Sequence, residues 1–301
     1  MLQLFLLKRL QQTLFMTLIS VPVLGFDNSD KTPSGVQVLT EELVLMKGEA
    51  LWLQLPCPAS RCEACLENQP LNLFPSPLNN ENQSMALIAT PLDGESCYTL
   101  KVRKKGRDWQ DYILTTEEPD YPEEALSVNP DMVKPPEQAL ERIQRERKEI
   151  ASALNTTTQG MIAGAMQLPV PLQKITSPFG IRRLYNGTVK SRHTGVDLRA
   201  AEGTPVQAPQ RGIVRMAQNN WYTGGHLILD HGLGITTSYF HLSELLVNPG
   251  DEVKAGQLIA KTGATGRVTG PHLHWGVHIQ GVPVNPLKFV EDLNAFFLNR
   301  N

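Results

Sequence analysis

The chain has 301 residues, a length for which two domains are expected. Its formal net charge of −2 hides an asymmetry: residues 168–301 hold 13 Lys plus Arg against 8 Asp plus Glu, so residues 1–167 carry a surplus of seven negative charges. No cluster of Lys and Arg is interleaved with aromatic residues, which excludes nucleic-acid binding, and there is neither an internal repeat nor a phosphate-binding glycine loop.

Residues 1–25 contain Lys8 and Arg9, then an apolar run from Thr13 to Gly25 with Val23 and Gly25 as small residues before a cut, and the chain turns polar at Asp27. This pattern predicts a secretory signal peptide, because the run is too short to favour a membrane span. The protein is therefore expected outside the cytoplasm, periplasmic or extracellular, with no stable span after cleavage; an uncleaved anchor is the alternative. No Cys follows closely enough to suggest a lipoprotein.

All four cysteines, Cys57, Cys62, Cys65 and Cys97, fall in the N-terminal half. In an exported protein they predict one or two disulfides, with three possible connectivities if all pair. The Cys62-Glu63-Ala64-Cys65 spacing also admits a redox or zinc reading, disfavoured by the lack of a second CxxC or a nearby His. Short apolar stretches at Val36–Leu39, Glu49–Leu55, Met85–Ala89, Tyr98–Val102 and Tyr112–Leu114, separated by Gly, Pro and Asp-Gly turns, predict a small β-sandwich over residues 36–118.

Residues 119–165 read as a linker with a helix. Pro135-Pro136-Glu137 opens it, since Pro is tolerated in a first helical turn, and Leu140, Ile143, Arg147, Ile150 and Leu154 form one narrow stripe. The charge run Glu141–Glu149 reads as a solvated face.

Residues 166–301 form the remaining domain, and here the chemistry concentrates. Arg192-His193-Thr194-Gly195-Val196-Asp197 places an imidazole and a carboxylate at i, i+4, and Pro271-His272-Leu273-His274-Trp275 places two imidazoles at i, i+2. Residues two apart on a strand share a face, so His272 and His274 project together while Trp275, Val277 and Ile279 fill the opposite face. These residues are the raw material of a catalytic zinc site, which uses three protein ligands and leaves a position for water, whereas structural sites use four ligands and are usually rich in Cys. Between the two segments, Ser238-Tyr239-Phe240-His241-Leu242-Ser243 delivers a further imidazole suited to act as a base or an electrostatic partner. His226, His231 and His278 read as structural. A lone HxH is more often a packed surface pair than a metal site; it is the joint occurrence of the three segments that favours the metal.

From Ile175 to Phe289 the chain resembles the lysostaphin-type, or LytM-like, zinc metallopeptidases that cut peptidoglycan cross-links. The resemblance rests on Ser177-Pro178-Phe179-Gly180, HTGVD, Gly203-Thr204-Pro205-Val206, DHGLG, SYFHLS, GATGRVTGPHLHWG and Val284-Asn285-Pro286, in the family's order. It implies that His193, Asp197 and His274 bind one zinc ion and that His241 and His272 are catalytic histidines outside the ligand set. It also suggests Tyr185 as a polar donor leaning over the site. The expected fold is all-β with a helical connector: an antiparallel-sheet LytM-like peptidase domain preceded by a small β-sandwich. The expected function is an exported zinc endopeptidase acting on peptidoglycan stem peptides. The alternatives are a non-catalytic wall-binding activator of an amidase, whose mark would be lost ligands, and a secreted peptidase on non-wall proteins. The acidic segment before a basic domain raises autoinhibition as a further expectation.

Overall fold

Two strands of the N-terminal region bury apolar side chains on both of their faces, and this pattern decides how the halves of the molecule meet. In the computed structural model, which describes residues 36–76, 82–187 and 189–298 apart from positions 157, 159, 161 and 163, these strands are Ala50–Leu55 and Ser84–Ala89. Side chains on a strand point alternately to its two faces. Leu51, Leu53, Leu55, Ala86 and Ile88 enter one core and Trp52, Met85 and Leu87 another. The first core lies between a four-stranded sheet containing both strands and a five-stranded sheet of Glu42–Met46, Gln110–Glu117, Cys97–Lys104, Cys62–Leu66 and Gln69–Pro70. The second is the core of the C-terminal half, so the four-stranded sheet is covered on both faces.

The contact on the second face is aromatic. The C-terminal helix Pro286–Leu298 begins where Asn285 accepts hydrogen bonds from the Leu287 and Lys288 amides through its side chain, with Pro286 in the first turn. Its buried face presents Phe289 and Phe296, whose rings stack on Trp52 at centroid distances of 6.2 and 5.5 Å. Burying three large aromatic side chains in one stack stabilises each by about 2–3 kcal/mol.

Mostly β structure with antiparallel sheets agrees with the expected fold class, and the element boundaries move by one to three residues. Glu42–Met46, Cys62–Leu66, Gln69–Pro70 and Leu73–Pro75 are additional strands. The cysteines pair Cys57 with Cys62, leaving Cys65 half-buried and Cys97 exposed as free thiols. Cys62 and Cys65 lie three apart on one strand and so point to opposite faces, which removes the redox and zinc readings of that spacing. The segment expected to be a signal, residues 1–25, lies outside the described residues. No described helix is long and apolar enough to cross a membrane.

The segment 119–165 supplies more than a helix. Its strand Glu123–Leu126 pairs in parallel with Arg182–Tyr185, which in turn pairs with Val189–Arg192. The helix Glu137–Leu154 packs Ala153, Ile150 and Leu154 on Met216 and Ile228. Of the expected stripe Ile143 is buried and Ile150 and Leu154 pack on the sheet, while Leu140 and Arg147 are exposed and Ala139 is buried beside Ile143. The charge run is not wholly solvated either. Glu146 is buried, pairs with Arg142 at 2.6 Å and accepts the Trp221 amide at 2.8 Å, capping a turn of the neighbouring sheet.

The large C-terminal sheet is antiparallel throughout and runs Ile175–Ser177, Val196–Leu198, Leu273–Ile279, Ile235–Leu245, Gly224–Asp230, Gly212–Asn220, Glu252–Val253. Trp275, Val277 and Ile279 are buried in the core beneath it. The opposite face of Leu273–Ile279 is therefore free to carry polar side chains.

Candidate metal centre

Strand register sets three of the chemical side chains in a row. Asp197 lies directly opposite His274 in the pairing of Val196–Leu198 with Leu273–Ile279. On its other side His274 faces Phe240, whose ring stacks on the imidazole at 4.4 Å and 9°. His193 follows the strand Val189–Arg192, and the chain then turns through Gly195. A Cβ at Gly195 would lie 2.5 Å from His274 Nε2 and 2.6 Å from the Trp275 carbonyl oxygen, so glycine is what allows His193 and Asp197 to close around His274.

His193 Nε2, Asp197 Oδ1 and His274 Nδ1 form a triangle with edges of 2.9 to 3.0 Å. His193 Nδ1 lies 2.7 Å from the Pro178 carbonyl oxygen, an atom that can only accept. That bond places the proton on Nδ1, so in the neutral ring the lone pair sits on Nε2 and points at a carboxylate and a second imidazole. All three residues are buried. Converging electron-pair donors out of water repel one another unless a cation lies among them. Tetrahedral zinc with bonds of about 2.0–2.1 Å separates its ligand atoms by roughly 3.3 Å. The donor set therefore fits one zinc ion.

The electrostatics agree with that fit. Burial, opposed by Asp197, lowers the His274 pKa to about 4, which keeps the ring neutral as a ligand must be. Burial alone would raise Asp197, but its contacts with His193 and His274 outweigh it and hold the carboxyl well below the usual range.

A second carboxylate enters through an arginine that motif reading missed. Arg183 donates to Asp197 Oδ2 at 2.5 Å and to Ser177 Oγ at 2.8 Å, and its Nε lies 3.5 Å from Glu124 Oε2. Glu124 and Arg183 are register partners of the parallel strand pair. The guanidinium thus occupies Oδ2 and leaves Oδ1 turned to the imidazoles, while Glu124 offsets its charge. Partners that orient metal ligands are worth about 10–100-fold in metal affinity. Arg183→Met is expected to weaken zinc binding by that factor, read as a competition with a chromogenic chelator; unchanged affinity would show that Asp197 is oriented without Arg183.

His241 and His272 line the same groove. His241 Nδ1 donates to the Thr265 carbonyl at 2.8 Å and His272 Nδ1 to the Gly270 carbonyl at 2.8 Å, so each ring turns its Nε2 away from these anchors, an acceptor in the neutral form and a donor in the protonated one. Their centroids are 4.9 Å apart, and His272 Nε2 lies 3.6 Å from Asp197 Oδ1. Burial first, then the imidazoles of His272 and His274, hold His241 well below the usual histidine pKa, as the neutral form. His241 has φ +64° inside the strand Ile235–Leu245, next to breaks in its register with both neighbours. A left-handed residue and a bulge re-aim a side chain, and strain of this kind, of order 1–3 kcal/mol, gathers at functional sites.

Tyr185 is buried in the groove wall with its ring beneath the Arg267 guanidinium. His231 is satisfied by the Arg211 carbonyl and Thr237 Oγ1. His226 and His278 are buried, and desolvation drives both to about 3.

A model of peptidase family M23 matches residues 191–286. The chain carries a peptidase family M23 domain. His193, Asp197, His241, His272 and His274 all lie within the match. The domain is 43 % identical over 116 residues to peptidoglycan DD-endopeptidase ShyA of Vibrio cholerae, across 38 % of this chain and 27 % of that protein. It is 39 % identical over 120 residues to the DD-carboxypeptidase/endopeptidase Mpg of Neisseria meningitidis, across 40 % of this chain and 28 % of that protein. The chain thus matches little more than a quarter of the length of these curated relatives. A solved Pseudomonas aeruginosa structure assigned to peptidase M23 aligns with TM-score 0.64 and 26 % identity over 81 % of this chain and 94 % of that one. That alignment extends far beyond the M23 domain.

Proposed function

We propose that this chain is an exported, zinc-dependent endopeptidase that hydrolyses peptide cross-links of peptidoglycan. The observation that carries the reading is the placement of two imidazoles outside the donor triangle, His241 and His272, in the groove that the triangle opens onto. In this reading His193, Asp197 and His274 hold the ion. Zinc, when bound, supplies Lewis acidity that polarises a carbonyl and acidifies water toward a pKa of ~7. His241 takes the proton of the attacking water on Nε2, because its Nδ1–H is fixed on Thr265 and among the described residues no carboxylate forms an ion pair with the ring. His272, with Asp197 at 3.6 Å as partner for its protonated form, donates to the oxyanion.

The substrate class is supported by the relative described as a peptidoglycan DD-endopeptidase and by the surplus of five positive charges in residues 168–301, which suits acidic stem peptides. A peptidoglycan substrate in turn supports a location outside the cytoplasm. Retention of all five positions argues against a non-catalytic amidase activator.

The test is mass spectrometry of defined cross-linked muropeptides incubated with the purified chain. Dimers are expected to convert to monomers with uptake of one water per link, to stop doing so with chelator, and to resume with added zinc. Intact dimers at full zinc occupancy, with a glycine-rich protein cut in the parallel reaction, would support instead a peptidase of non-wall proteins. Cleavage indifferent to chelator would remove the metal from the mechanism.

A further inference from the structure

Arg267 stands in the groove with no counterion among the described residues. It lines the groove together with His241 and His272, in the loop that precedes the HxH strand. Arg183, which lines the same groove, has a carboxylate partner, as do Arg182, Arg192 and Arg215 elsewhere in this half of the chain. Among the described residues no carboxylate lies within ion-pair distance of Arg267.

The side chain is nevertheless held in place. Its guanidinium carbon lies 4.0 Å from the centre of the Tyr185 ring and 5.0 Å from that of Tyr222. Its backbone N–H donates to the Tyr222 carbonyl at 2.8 Å. The preceding Gly266, at φ +76°, packs so closely that a Cβ there would lie 2.4 Å from the Gly224 nitrogen, which pins the loop to the neighbouring turn. Thr265, two residues before Arg267, is the carbonyl that orients His241. Arginine, base and groove wall are thus one rigid unit.

Stacking engages the faces of a guanidinium and leaves its edge N–H groups in the ring plane, where they form a fork matched to a carboxylate. A cation already immobilised by aromatic rings loses little rotamer freedom when it takes a ligand. We propose that Arg267 recognises a carboxylate of the peptide substrate and so sets which peptides the groove accepts. The proposal rests on the peptidase reading above. Two sources share this chemistry: a free C-terminal carboxylate beside the cut bond, and a side-chain carboxylate within the stem.

The test uses matched muropeptides in which one or the other carboxylate is amidated, with the full chain, Arg267→Gln and Arg267→Lys. One of the two amidations is expected to lower kcat/KM of the unaltered protein by about tenfold or more, mainly through KM, as for loss of a charge-assisted hydrogen bond. In Arg267→Gln the same amidation has no further effect, and Arg267→Lys falls between. The amidation that registers names the source. Equal rates on all peptides by the unaltered protein, or an Arg267→Gln loss that is the same for acid and amide, would overturn the proposal. Binding of short stem peptides as acid and amide, followed by chemical shifts in the His241→Ala variant, reads the same preference without cleavage. A preserved acid preference in binding with no cleavage of any muropeptide would therefore sink the peptidase reading while leaving the carboxylate site standing, and no acid preference in binding would sink the site.

Discussion

His274→Ala is expected to lose zinc and activity together. The ring supplies one corner of the 2.9–3.0 Å triangle, and among the described residues His193, Asp197 and His274 are the only His, Cys, Asp or Glu side chains whose donor atoms converge as one metal-holding group. Two ligands do not retain zinc against dilution as three do. Loss of the ion removes several kcal/mol of transition-state stabilisation, which at 1.36 kcal/mol per decade is about a thousandfold or more in rate. Metal content by plasma mass spectrometry should fall from near one to near zero per chain. His274 is also paired across the sheet and stacked on Phe240, so His274→Gln, closer in volume, is the companion variant. Either variant retaining both zinc and turnover, with an unchanged melting transition, would remove His274 from the ligand set.

The opposite dissociation is expected of His241→Ala, which keeps zinc and loses turnover. His241 touches none of the three donor atoms, and its ring centroid is 6.2 Å from that of His274. Its Nδ1–H is committed to Thr265, so the only chemistry left to it is at Nε2. A positioned general base is worth about 10²–10⁴-fold. The expected loss falls on kcat with KM little changed, since the ring is assigned to the attacking water rather than to peptide binding. Zinc lost along with turnover would mean that His241 supports the metal, and turnover retained would pass the role of base to His272. Because His241 sits at φ +64°, replacement by alanine also meets backbone strain, and a His241→Asn control, tolerant of the left-handed region, separates that effect from the chemistry.

What could be read before any coordinates were those properties that depend on residues close together in the chain. Period-two alternation around His272 and His274 put both imidazoles on one face and Trp275, Val277 and Ile279 on the other, and the residues that join the apolar core follow that parity. The strand stretches at Ala50–Leu55 and Ser84–Ala89 were legible for the same reason. The helix Glu137–Leu154 and the inward face of Ile143, Ile150 and Leu154 are legible in the sequence, whereas the burial of Ala139 in place of Leu140 is selected by the surface beneath it.

Arg183 and Glu124 lie far apart in the chain and carry no local signature; a parallel strand pairing makes them neighbours and turns them toward Asp197. The same holds for Arg267, whose isolation from carboxylates and seat on Tyr185 and Tyr222 depend on which surfaces meet. Cysteine spacing left three pairings open; the pleat, which sends Cys62 and Cys65 to opposite faces, excludes a bond between those two, and Cys62 pairs with Cys57. Local periodicity and motif spacing therefore determined which side chains were available, since dihedral preference and side-chain direction act over a few residues. Long-range packing decided which of them share a site, which charges are neutralised and which one is left facing the groove, because those outcomes follow from the burial of distant segments against each other.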